Sequence, residues 1–138
     1  MAKFHYRSVR AIALVAAAVA LAGCASMGGG TPEQVVQKRA EAYWKARLDG
    51  KYEAAYALST PAYRKLRTAE QFSKQYGASV AAKAAEVTKV TCDAVRCETQ
   101  VRLDVKPGIP GLNLPIVPMY VNEVWLLEDG QWWHFQES

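Results

Sequence analysis

The chain shows three successive patterns of apolar and polar positions. Residues 11–22 are apolar without interruption. From Thr31 to Gly77 apolar residues recur every three to four positions, the spacing of helices with one buried stripe. From Ala85 onward they alternate, the spacing of half-buried strands. Thr31-Pro32-Glu33-Gln34 predicts a helix start, with Thr31 as cap, Pro32 in the first turn and Gln34 completing a capping box. That helix should run to about Leu48, with Val36, Ala40, Tyr43 and Trp44 near one face and Gly50 ending it. A second, Tyr52 to Leu58, offers Ala55, Tyr56 and Leu58; Pro61 restarts a turn; Thr68-Ala69-Glu70-Gln71 is another capping box leading to Tyr76. Strands are expected at 85–92, 97–106, 119–128 and 131–136, the last two joined at Asp129-Gly130, a strong two-residue hairpin signal. Helices first and a strand meander after them make an α+β class.

The apolar run has its own meaning. It follows "MAKFHYRSVR", which carries Lys3, Arg7 and Arg10 and no acid. As a helix it spans roughly 18 Å, well short of a hydrocarbon core of about 30 Å. A basic start, a short apolar stretch and small residues before a cut form a secretory signal. Leu21-Ala22-Gly23-Cys24 further resembles the lipobox of bacterial lipoproteins. The resemblance implies cleavage before Cys24 and acylation of Cys24, which would hold the chain stably on a membrane. The division expected is 1–23 signal peptide, 24–31 lipidated cysteine and flexible tether, and 32–138 folded domain. Ala25 in place of an acid resembles the pattern exported to the outer membrane, so the expected location is the periplasmic side of that membrane rather than the inner one.

Charge and cysteine content change with that division. The +4 of the full chain falls to about +1 without residues 1–23, because three of the seventeen basic residues and none of the thirteen acids leave. A nucleic-acid partner is therefore not expected, and no basic run or Gly-rich phosphate loop calls for one. Of three cysteines, Cys92 and Cys97 remain after lipidation of Cys24, and an oxidising compartment favours their pairing. Two thiols with His134 as the one histidine of residues 24–138 make a poor metal set, and no metal or other cofactor is expected.

The segment "RLDGKYEAAYALSTPAYR" and the ending "NEVWLLEDGQWWHF" resemble the NTF2-like (cystatin-like, SnoaL-like) superfamily, in particular its small bacterial lipoproteins. The resemblance covers roughly residues 32–136 and implies helices packed on a curved antiparallel four-stranded sheet, forming a cone. That superfamily includes isomerase-like and dehydratase enzymes, assembly modules and transport factors, so the fold does not choose among them.

A trial register assigns the faces. With Cys92 opposite Cys97, Glu128 opposite Gln131, and the "PGIPGLNLPIVP" connection centred near 112–113, Arg102 falls opposite Glu123. The inward face then carries Val101, Leu103, Tyr120, Asn122, Val124, Leu126, Trp133 and Phe135. The outward face carries Arg102, Asp104, Glu123, Trp125, Trp132 and His134. On this reading the pocket holds no acid or base, and no catalytic residue is assigned. Tyr43, Trp44, Tyr56, Tyr120, Asn122 and Trp133 are the candidate ligand-binding residues; Trp125, Trp132, Leu112 and Leu114 form the candidate partner surface. Ile109, Leu112, Leu114, Ile116 and Val117 either plug the open end of the cone or meet a partner, with the plug favoured. The expected function is a lipid-anchored, non-catalytic module binding an envelope protein or a small apolar ligand. Its rivals are an isomerase- or dehydratase-type enzyme using Glu123 or Asp104, and an assembly lipoprotein forming homodimers through the outer sheet face.

Overall fold

The computed structural model describes residues 29–77 and 82–137. The expected signal segment and Cys24 lie outside the described residues. Four helices come first: α1 (Pro32–Leu48), α2 (Tyr52–Tyr56), α3 (Pro61–Leu66) and α4 (Ala69–Tyr76). Four strands follow, β1 (Ala82–Cys92), β2 (Arg96–Val105), β3 (Val117–Glu128) and β4 (Gln131–Phe135), in one antiparallel sheet of order β1-β2-β3-β4.

Local chemistry sets the boundaries. The Thr31 hydroxyl accepts the Gln34 N–H, and the Gln34 side chain accepts the Thr31 N–H. Thr68 and Gln71 repeat this arrangement at the start of α4. Two orphan donors are thereby satisfied at each helix start. At the last hairpin both Asp129 (φ 50°) and Gly130 (φ 75°) take positive φ, as a two-residue turn matched to strand twist requires. The second helix stops at Tyr56 rather than Leu58. Leu58 instead gives its carbonyl to the His134 N–H (2.8 Å), while the Thr60 N–H donates to the His134 carbonyl (3.0 Å). This segment covers the edge of β4, which would otherwise present unpaired backbone.

The outer hairpins keep the expected pairings, Cys92 opposite Cys97 and Glu128 opposite Gln131. Cys92 and Cys97 form the disulfide, with Cα atoms 4.0 Å apart. A bulge at Thr88 puts Val87, rather than Thr88, opposite Val101. The central pairing differs more. Arg102 lies opposite Tyr120, and Glu123 lies opposite Thr99. The β2–β3 connection pivots at Gly111 (φ 81°), in a turn closed by the Leu112 N–H on the Ile109 carbonyl, not at 112–113. The offset is odd, and an odd offset reverses every side chain on a strand. It reverses β3, and β4 with it.

The consequences are corrections. Trp125 is completely buried and Trp132 nearly so, and neither belongs to a partner surface. Glu123 and His134 point inward. Tyr120 and Asn122 occupy the outer face, where Tyr120 is 60% exposed. Trp133 is outward and half-buried, with the Arg39 and Arg64 guanidinium groups over its ring. The reason is apolar volume: this register brings Val121, Trp125, Leu127 and Trp132 onto Val36, Ala40, Tyr43, Phe72 and Val101. The 107–118 connection does not plug the core, since Ile109, Leu112 and Ile116 are each more than half exposed and Leu114 is half-buried.

Candidate functional site

Helices α1 and α4 meet the inner face of the sheet around a cavity of about 600 Å³. The last two turns of α1 supply Tyr43, Trp44 and Arg47, and the end of α4 supplies Tyr76. Val121 and Glu123 come from β3, His134 from β4, and Gln136 from the residues just after it. Ala82, Leu103, Val105 and Met119 extend the apolar wall. The volume is in the range of small-molecule sites, which combine apolar walls with a few polar groups.

The floor is a buried Glu–His contact. Glu123 Oε1 lies 3.5 Å from His134 Nε2, and each side chain is 8% exposed. Oε1 also accepts the Trp44 indole N–H at 2.9 Å, while Oε2 accepts the Thr99 hydroxyl at 3.4 Å. These donors compensate part of the desolvation that a buried carboxylate suffers. The imidazole stacks on Tyr43 (centroids 4.2 Å apart, planes at 27°) and meets the edge of Trp125. With its backbone clamped by Leu58 and Thr60, its orientation is fixed. Neither ring nitrogen makes a well-formed hydrogen bond. Protonation of the imidazole would turn the contact into an ion pair.

Beside this floor sits a second polar group. Arg47 is 8% exposed, and its guanidinium lies 4.4 Å from the Trp44 ring centroid, 5.4 Å from Tyr76 and 5.5 Å from Tyr43. One terminal nitrogen donates to the Tyr76 carbonyl at 3.2 Å. Burial pushes the Tyr43 hydroxyl well above the ordinary phenol range, and the neighbouring Glu123 adds to the rise while Arg47 opposes it.

Of the candidate ligand residues, the structure brings together Tyr43 and Trp44. Tyr56 does not join them: its hydroxyl reaches the carbonyls of Arg67 (2.7 Å) and Arg64 (3.1 Å), tying the helices together. Asn122 borders the cavity from an outward register position, whereas Tyr120 and Trp133 do not line it. Asp104 is on the outer face, paired with Arg102 at 3.1 Å, and offers the cavity no acid. The residues that sequence reasoning left out are Arg47, Tyr76 and Gln136. Arg47 had a signal, since it continues the stripe of Val36, Ala40 and Tyr43 at helical spacing.

Solved structures share the fold. A SEC-C motif protein from Rhodopseudomonas palustris superposes with a TM-score of 0.55 at 12% identity, over 76% of this chain and 75% of that one. A protein described as an NTF2-like transpeptidase from Campylobacter jejuni gives 0.52 at 10% identity, over 78% of this chain and all of that one. The fold is NTF2-like. A cystatin-fold protein from Novosphingobium aromaticivorans gives 0.50 at 17% identity, over 72% and 94% of the two chains. In sequence the chain matches neither a protein-family model nor a curated protein. Likeness at these identities concerns the fold alone.

Proposed function

We propose that this NTF2-like domain binds a small, largely apolar molecule in the cavity between α1 and the inner sheet face, as a lipoprotein held at the periplasmic side of the outer membrane through Cys24. The observation that carries the binding reading is the cavity of about 600 Å³, apolar along β2 and β3 and polar at Glu123 and His134. The anchor rests on Leu21-Ala22-Gly23-Cys24 after a short apolar run. Binding comes first because Glu123 already receives two donors, which suits a fixed acceptor at the polar end of a pocket.

The Glu123–His134 contact favours one further reading, proton transfer on the bound molecule. An acid and a base in contact beside a cavity meet the positional requirement for isomerase or dehydratase chemistry. Glu123 would then take the proton and His134 would move it; Asp104, on the opposite face, has no part.

The test uses the detergent-solubilised full chain and the Trp44 indole N–H resonance. Titration with 2-naphthamide, a neutral bicyclic probe, should shift that resonance saturably. A Val121→Trp variant that keeps its circular dichroism spectrum should lose the shift. An equal shift in the variant, or no shift with either this amide or its carboxylate analogue 2-naphthoate, rejects the cavity as the binding site. The anchor is tested by intact mass: a native chain still carrying residues 1–23, or with Cys24 unacylated, rejects it.

A further inference from the structure

Arg47 is a buried cation without an anion. It makes no ion pair among the described residues, its Nε lacks a hydrogen-bond partner, and it lines the cavity. Buried charges in proteins are ordinarily paired, because desolvation without compensation is costly. The Tyr76 carbonyl and the three aromatic rings supply partial negative charge only.

The nearby acids do not fill the gap. Glu123 is engaged by Trp44, Thr99 and His134, and the Trp44 indole lies against both it and the guanidinium. Glu137 borders the cavity from an exposed position and makes no ion pair among the described residues. More polar capacity adjoins Arg47. The buried Gln136 amide lies beside the buried Tyr43 hydroxyl, close enough to lower its pKa but without a well-formed hydrogen bond, and both residues line the same cavity. A guanidinium edge, an amide N–H and a phenol O–H are all donors that a carboxylate can accept.

From this we infer that the cavity recognises an organic anion, an apolar body ending in a carboxylate, with the carboxylate on Arg47, Gln136 and Tyr43. The inference rests on the cavity reading above and adds the charge of the ligand. Arg47 is the specificity determinant. The apolar wall of Leu103, Val105, Met119 and Val121 takes the body of the molecule.

Two probes of one shape separate charge from apolar fit. 2-Naphthoate carries the carboxylate, and 2-naphthamide replaces it with a neutral amide. Both are titrated into the detergent-solubilised full chain and followed at the Trp44 indole N–H. The expected result is roughly tenfold or more tighter binding of 2-naphthoate, the scale of one charge-assisted hydrogen-bonded pair. Arg47→Met should remove that preference while 2-naphthamide still binds. Arg47→Lys should keep part of it, because the charge remains and the fork is lost. If the methionine variant does not fold, Arg47→Gln is measured against Arg47→Lys in its place, with the same expected loss of preference. Equal affinity for the two probes, or a preference that persists without the guanidinium, overturns the inference and leaves the cavity reading standing. Failure of both probes to bind overturns both.

Discussion

Glu123 and His134 meet at 3.5 Å because one hairpin places them diagonally across two strands. Trp125 lies opposite His134 in the ladder, and Glu123 is two residues before Trp125 on the same face. The contact is therefore a property of the Asp129-Gly130 turn as much as of the two side chains. Any register that turns Trp125 inward turns both titratable groups inward with it.

The first prediction concerns what Glu123 does for the fold. Glu123→Ala would leave the Trp44 indole N–H without its acceptor and the buried imidazole without its neighbour. A stranded buried donor costs about 1–3 kcal/mol. Glu123→Gln keeps an oxygen for Trp44 and should cost less. Urea midpoints should fall in the order wild type, Gln, Ala. An alanine variant as stable as wild type would contradict the buried placement.

A second prediction tests the central register directly. Trp125→Ala removes a completely buried indole and should cost about 3–5 kcal/mol. Tyr120→Ala, on the exposed outer face, should change stability by less than about 0.5 kcal/mol. The register with Arg102 opposite Glu123 demands the reverse ranking, so the two urea curves decide between them.

That pair of residues also shows what was legible in the sequence. The helices were, because Thr31/Gln34 and Thr68/Gln71 mark their starts through local hydrogen bonds that need no tertiary information. So were the Cys92–Cys97 and Asp129-Gly130 pairings, where the connection is too short to leave a choice. The β2–β3 pairing was not. Its connection runs over residues 106–116, and a long loop leaves the register to core packing. Packing was ambiguous too, since alternate positions of β3 offer Val121, Trp125 and Leu127 on one side and Tyr120, Val124 and Leu126 on the other. The decisive clue lay in β4: Trp132 and Trp125 share a face through the hairpin, and two indoles outweigh the cost of burying a Glu–His contact. The site follows the register, so the odd offset that turns Trp125 inward also moves Glu123 and His134 from the outward face of the sequence reading to the inward one.

The disulfide gives a third prediction. Unfolded, unreduced protein of residues 24–138 should show no free thiol from Cys92 or Cys97. Replacing both by Ser should cost about 2 kcal/mol in the chain-entropy model, because the closed loop is short. The fold should survive, since β1 and β2 pair along nearly their full length. Two reactive thiols in the native protein would reject the bridge.

Stability at low pH should depend on Asp93. Its carboxylate accepts the backbone N–H of Val95 (2.9 Å) and of Arg96 (2.8 Å) in the β1–β2 turn, and these bonds hold its pKa below the usual carboxylate range. A folded-state value below the unfolded one contributes stability above about pH 4, lost as the pH falls through the folded value. Asp93→Ala should therefore lower the urea midpoint at pH 7, and the gap to wild type should close on acidification. A gap that stays constant to the acid limit would mean that the turn bonds do not depend on ionisation.

The apolar connection supplies the last prediction, through two leucines two residues apart. Leu112 is 59% exposed and stands just after the Gly111 turn, so the native state already leaves much of its surface in water. Leu112→Ser should move the melting temperature by no more than a degree or two. Leu114 is half-buried, and its serine variant loses part of the 1.5–3 kcal/mol or so that full burial of a leucine is worth. Its melting temperature should drop by several degrees, on the scale of about 4–8 °C per kcal/mol for a domain of this size. A plug across the open end of the cone would instead make both substitutions costly to a similar degree. Differential scanning calorimetry on the two variants separates these outcomes, and a large loss at Leu112 would mean that the connection packs against the body of the domain.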